Sequence, residues 1–469
     1  MLTPIRVRGR RRQHPDDGAL KPRPSGPKGG RPFLSHQAKL DSSQARSHKR
    51  ARLLVAKPIK PRKSILESLP VELIEKIFLY SLNVNFARCS SSLAAVVSSE
   101  RIYRALILLA FWDDSSTPAV KVRTSEIAIS RVLRPVDYIP ISHVERRNLQ
   151  DTILRCKWCT IQRLLAQLPD LMNLTIQRHW FGAGITMPAD EQGSLTRFLA
   201  EKEDTRAFEG TDPNANHYSL SINPLASITV THHETDQSTT HPILGILFIP
   251  DKLFHGLYGP DQIRYLEALR IASGFNQPDL IKPTVSVSRE SLQGGIHAAL
   301  VQNNAEALAI LLKIDEYYFR SELQSLHPTA VPYTVPAEHF RTAVRVARHD
   351  TSFFQLLVRA SAESVPADDP EITEWAVELD DAFGAWLLEL MLQLPQQIEA
   401  AHANPAEDAV FYLGRANGQR ELGRRYLREV LGVEELGCWM TETVFDVAEL
   451  WRGAEAEAEA DRSSVSEEA

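Results

Sequence analysis

The stretch from Leu69 to Phe86, LPVELIEKIFLYSLNVNF, decides the reading of this chain. A proline at its start and Asn-Val-Asn at its end bracket a helix over about residues 70–82. With Leu73 at zero and about 100° per residue, Tyr80, Leu73 and Ile77 fall at about −20°, 0° and 40°. Ile74, Phe78 and Leu82 fall at about 100°, 140° and 180°. Glu75, Glu72 and Lys76 occupy about 200° to 300°, with Leu79 among them. A surface helix needs an apolar stripe of little more than 100°, and this one spans about 200°. One side can face its own domain. At about 25 cal/mol per Å² of apolar area, the other is worth several kcal/mol to whatever covers it. The cover is either a partner or the rest of the chain, and the wheel alone leaves both open.

Around this helix the chain is free of breakers. No proline stands between Pro70 and Pro118, and no glycine between Gly30 and Gly182. Apolar residues at helical spacing then predict further helices at Leu93–Val97 and from Glu100 to Trp112, the last capped by Ser99. SILE, from Ser64 to Glu67, matches a capping box.

Leu69 to Phe78, LPVELIEKIF, resembles the opening of the F-box, and residues 64–114 resemble the F-box region of fungal F-box proteins. Ser81 stands where that family has a leucine, and Leu82 follows it. The resemblance implies a three-helix module that binds the Skp-type linker subunit of a cullin-based ubiquitin ligase, while the rest of the chain selects a protein substrate. It implies linker contacts at Leu69, Pro70, Ile74 and Phe78. It implies a module core of Leu73, Ile77, Leu93, Val97, Ile102 and Leu106, with the side of Leu82 unassigned. No catalysis is expected of such an adaptor. The alternative is a helical scaffold without a ligase role, in which the module caps the body.

The whole chain fits a mainly α protein. Its 469 residues allow about two to three domains. Residues 1–63 hold 18 Lys/Arg against 3 Asp/Glu, a net of +15, and the remainder carries −21. The tail is rich in Pro, Gly and Ser and is read as disordered. Its basic clusters, Arg6–Arg12 and Lys49–Lys63, suit nuclear import or loose phosphate contact. An acidic body argues against nucleic acid as the main partner. No apolar run reaches the ~18 residues of a membrane span. Four cysteines suit a reducing compartment, cytoplasmic or nuclear.

Between 115 and 290 helices are expected near Ser125–Arg134, Val144–Leu168, Asp190–Glu203 and Gln262–Ala272. The polar, β-branched stretch 204–241 reads as a hairpin or a long loop. From 291 to 453 helix-pair repeats emerge in 296–312, 340–357 and 372–388, with terminal helices beyond. They resemble degenerate ankyrin repeats, or more generally a helical solenoid. THPILGILF, 240–248, marks a possible start of the stack. Residues 454–469 form an acidic low-complexity tail.

Three segments invite chemical readings. CKWC, Cys156 to Cys159, lacks a second ligand pair for zinc. On a continuous helix both thiols face away from the apolar stripe. THHETDQSTTH, 231–241, has Gln237 where a zinc-protease motif needs histidine. GAGITM, 182–187, is a turn. No metal and no cofactor are expected.

Overall fold

The structure, a computed structural model, describes residues 64–112, 129–131, 133, 138–201, 207–274, 285–320, 333–346, 349–445, 447 and 450. Both charged tails and most of the helix expected near Ser125–Arg134 lie outside these residues. The described chain is mainly helical, with a small antiparallel sheet.

Helix α1 spans Val71–Ser81, α2 Ser91–Val97 and α3 Glu100–Phe111. Ser90 and Ser99 cap α2 and α3 by accepting from Leu93 N and Ile102 N. The expected capping box closes in both directions, at 2.7 Å from Ser64 N to Glu67 Oε2 and 3.2 Å from Glu67 N to Ser64 Oγ. It holds one 3₁₀ turn, Leu66–Ser68, ahead of α1. A second 3₁₀ turn, Val84–Arg88, follows it.

Helix α3 is buried on every side from Ala105 to Phe111. Besides α1, it packs on α4 (His143–Leu154) and α6 (Leu168–His179). The amide of buried Gln150, on α4, fastens this junction. It donates to Ala110 O at 2.7 Å and to Gly245 O, and accepts from Leu247 N at 2.8 Å. The N-terminal helices therefore share one apolar core with the body.

The helix expected over Val144–Leu168 is broken. It ends at Leu154, turns through Arg155–Thr160, and restarts as α5, Ile161–Leu165. Thr160 caps that restart by accepting from Arg163 N at 3.4 Å. The N-terminus of α4 has a full capping box, Ser142 with Glu145, a second S-x-x-E that fixes the start at His143.

Helix α7, Ala189–Glu201, leads into four strands. They are β1 (Ala207–Thr211), β2 (His217–Asn223), β3 (Ser227–His232) and β4 (Gln237–Pro242), an antiparallel meander in sequence order. The open choice between hairpin and loop resolves as this sheet. Alternation makes one face: Phe208, Leu220, Ile222, Ile228 and Val230 are buried against α6 and α7. The polar edge strand β4 carries QSTTHP.

THPILGILF does not open a helix pair. Its first residues end β4, and 243–249 run as loop, so the expected start there is corrected. The single turn Asp251–Phe254 and α8 (Pro260–Ala272) stand first instead. Three helix pairs follow: α9 (Arg289–Val301) with α10 (Ala305–Phe319), α11 (Ala337–Val346) with α12 (Ser352–Ala360), and α13 (Pro370–Glu378) with α14 (Ala382–Ala403). Ser288, Asn304, Asp369 and Asp381 cap four of these helices through their side chains. First helices stack as α9, α11, α13, and second helices as α8, α10, α12.

The end of the body is less helical than expected. A hairpin, β5 (Phe411–Tyr412) with β6 (Arg415–Ala416), turns on Leu413 and Gly414, both left-handed. Helix α15 (Glu421–Arg425) runs into a π turn, Tyr426–Leu431. Residues 432–445 have no regular secondary structure.

Candidate protein-interaction face

Helix α1 has two apolar sides, but the division differs from the expected one. Ile74 and Phe78, expected at a partner surface, are buried at 3% and 2% exposure. Leu73 and Ile77, expected in the core, are exposed at 47% and 41%, and Tyr80 beside them at 44%. The reason lies in α2 and α3. They cover the arc of Ile74, Phe78 and Leu79, where the Phe78 ring stands 5.8 Å from Phe86. Glu75 is drawn into that side by its ion pair with Arg101 on α3. A carboxylate on the polar arc of the wheel thus joins the inner face, and the apolar burial of Ile74, Phe78 and Leu79 leaves Leu73, Ile77 and Tyr80 outward.

Leu93, Val97, Ile102 and Leu106 are buried behind α1. Leu69 is half-buried, and Pro70, the residue preceding α1, is exposed. Leu82 resolves to neither face. It caps α1 in the left-handed region, φ 47°, with its amide on Phe78 O at 2.9 Å and its side chain packed on the core. A non-glycine residue there costs about 1 kcal/mol or more.

The outward stripe is therefore Leu73, Ile77 and Tyr80 at i, i+4 and i+7. Lys76 flanks it, its Nζ 5.8 Å from the Tyr80 ring centroid. Below Tyr80 the surface continues into a cavity of about 340 Å³ between α1, α3 and α4, lined by Leu82, Leu109, Tyr138, Ile139 and Leu149 among others. Ile139 on its rim is 58% exposed. An apolar ridge next to a lined hollow can seat an apolar side chain of another protein.

The chemical candidates do not assemble. Cys156 and Cys159 sit in the turn between α4 and α5 rather than on a helix. Cys156 Sγ donates to Thr152 O at 3.3 Å, and Cys159 Sγ lies 3.4 Å from Tyr265 Oη. Burial pushes the Cys159 thiol up to about 11, so it stays protonated and unreactive at neutral pH. The histidines of 231–241 are spread along the β3–β4 hairpin. His232 Nδ1 accepts from Thr235 N at 3.2 Å at the tip, and His233 pairs with Glu209 at 3.5 Å. His241 lies at the far end, stacked on His179 at 3.6 Å. Burial, with Arg178 nearby, pulls its imidazole down to about 4, leaving it neutral. Among the described residues no three potential metal ligands gather, and no helix is long and apolar enough to cross a membrane.

The chain matches no family model, no curated protein and no solved structure.

Proposed function

We propose that this chain is a non-enzymatic adaptor of a cullin-type ubiquitin ligase. Its N-terminal helices dock on a Skp-type linker subunit, and its helix-pair body, ankyrin-like in plan, holds a protein substrate. The observation that carries this reading is the exposed Leu73–Ile77–Tyr80 stripe on a helix whose LPVELIEKIF sequence resembles the F-box opening; the stripe replaces the contacts that the resemblance implies at Ile74 and Phe78, which are buried. The pairing surface is that stripe with Leu69 and Pro70 at its head; Ile74 and Phe78 support it from within. An adaptor of this kind acts by effective concentration, since tethering makes transfer to the substrate nearly intramolecular.

The test is co-purification of the full chain with the Skp-type subunit, wild type against Leu73→Asp with Ile77→Asp. Loss of the subunit from a folded double variant supports the proposal; undiminished capture overturns it. The burial of α3 in the core of the body favours a second reading, an interaction scaffold that α1–α3 cap. A monomeric chain that ignores the linker subunit would favour that scaffold.

A further inference from the structure

The meander has two edges, and they are unlike. At β1 the outward side is engaged and charged. Thr211 N donates to Thr186 O at 2.9 Å, and Thr186 N returns a bond to Thr211 O at 2.8 Å. Glu209 stands in mid-strand, its carboxylate 3.5 Å from His233. Strand β4 has no such guard. Its sequence, QSTTHP, holds no Lys, Arg, Asp or Glu, and its register with β3 runs without a bulge from Gln237 to Pro242. Gln237, Ser238 and Thr239 are exposed. An edge without charge or bulge is a template for another strand.

Two bonds at the ladder ends fix which backbone groups face out. His233 N donates to His217 O at 3.0 Å, and Ile243 N to Ala226 O at 3.2 Å. They extend the β2–β3 and β3–β4 registers by one pair each. Bonded pairs alternate along an antiparallel ladder, so Gln237, Thr239 and His241 direct their N–H and C=O groups to β3. Ser238 and Thr240 therefore turn both backbone groups outward, and Pro242 its carbonyl. Among the described residues no bond reaches these groups. The Ser238 and Thr240 side chains share the outer face of the sheet with Thr229 and Thr231, and Thr229 Oγ1 lies 3.1 Å from Thr240 Oγ1. The registers carry this face to Ser219 and Ser221 on β2. Two hydroxyl rows, Ser219–Thr231–Ser238 and Ser221–Thr229–Thr240, thus end at the open edge.

From this we infer that β4 is a strand-addition site, where an extended segment of a partner protein pairs its backbone with Ser238 and Thr240 and becomes a fifth strand of the sheet. The neighbours of such a segment define its chemistry. Its residues opposite Ser238 and Thr240 need a free N–H, which excludes proline there. Their side chains lie on the outer face, where Ser or Thr continues the hydroxyl rows. The alternate residues lie beside Thr239 and His241, on the face turned to α6. Burial keeps the half-buried His241 imidazole neutral, so an uncharged side chain suits that side. The partner is an uncharged extended segment with Ser or Thr at alternate positions. This inference deepens the substrate-holding role proposed above and rests on it, but the pairing can be measured without any ligase subunit.

The probe is a fluorescent peptide of alternating valine and threonine, Val-Thr-Val-Thr-Val-Thr-Val, with a lysine at each end for solubility. Titrated against the full chain, it should bind saturably by fluorescence anisotropy. Hydrogen exchange read by mass spectrometry should then slow at two amides of β4, those of Ser238 and Thr240. N-methylation of the threonines removes the donors that face β4 and should weaken binding about 30-fold, the scale of two lost hydrogen bonds. N-methylation of the valines, whose N–H groups face away, should change it less than about threefold. Equal losses in both phases, or no saturable binding, would overturn the inference. Thr240→Pro removes one outward donor, and Ser238→Lys places a charge on the edge; each folded variant should bind the probe about tenfold more weakly. Unchanged binding by both would overturn the site. Slow exchange of Ser238 and Thr240 in the free chain, or their protection by self-association, would overturn it too. Probe binding without linker capture would sink the ligase reading and leave the edge standing; linker capture without probe binding would do the reverse.

Discussion

Truncating Phe78 and Ile77 one at a time separates the two sides of α1. Phe78 is 2% exposed and packs on Phe86 and the inner helices. Phe78→Ala removes a buried ring and leaves a cavity, at a cost of about 3–5 kcal/mol. Ile77 is 41% exposed. Full burial of such a side chain is worth about 1.5–3 kcal/mol, and only part of Ile77 is covered, so Ile77→Ala costs about 1 kcal/mol. Chemical denaturation of each variant, followed by circular dichroism, reads the difference directly. A shift in midpoint several times larger for Phe78→Ala is the expected outcome. Equal losses, or a larger loss for Ile77→Ala, would refute the orientation of α1 and with it the outward stripe.

Other outcomes follow from the same physics. Gln150→Leu leaves Ala110 O, Gly245 O and Leu247 N without their amide partner, at about 1–3 kcal/mol for each group left dry; thermal melting should show a drop larger than an ordinary surface change gives. Burial pushes the Glu316 carboxyl up to about 7 from an ordinary value near 4.5. The folded chain therefore binds a proton more tightly there than the unfolded chain. That contribution is fully present below about 4.5 and is lost as pH rises through about 7. Wild type should therefore lose stability relative to Glu316→Gln as pH rises over that window in denaturation curves; a difference independent of pH would contradict it. Gly414→Ala should weaken the seating of 437–444, because a Cβ there would meet the Trp439 ring at 1.8 Å and φ is +70°. Faster proteolysis in 432–445 would register the change.

Helical periodicity and capping residues made most of the helices legible. Ser64 with Glu67, and Ser99, each bond the amides that their positions imply. The width of the apolar arc on α1 was also legible. Which half turns inward was not, because it depends on how α2 and α3 pack back on α1, through contacts such as Glu75 with Arg101, 26 residues apart, that no wheel contains. The break at Arg155–Thr160 escaped the pattern because an apolar stripe can continue in phase across a turn; the Thr160 cap was its signal. The β meander was ambiguous because its buried residues come from short strands whose outer faces are polar. The buried charges beside Trp439 were invisible, since they sit 46 residues apart on α8 and α10 and meet only when the second helices stack.

The measurement closest to the central claim is capture of a Skp-type linker subunit by the full chain, compared across Leu73→Asp/Ile77→Asp and a control such as Val377→Asp, whose valine is exposed on α13. The double variant should fold and lose the subunit while the control retains it. Equal capture by all three would contradict it.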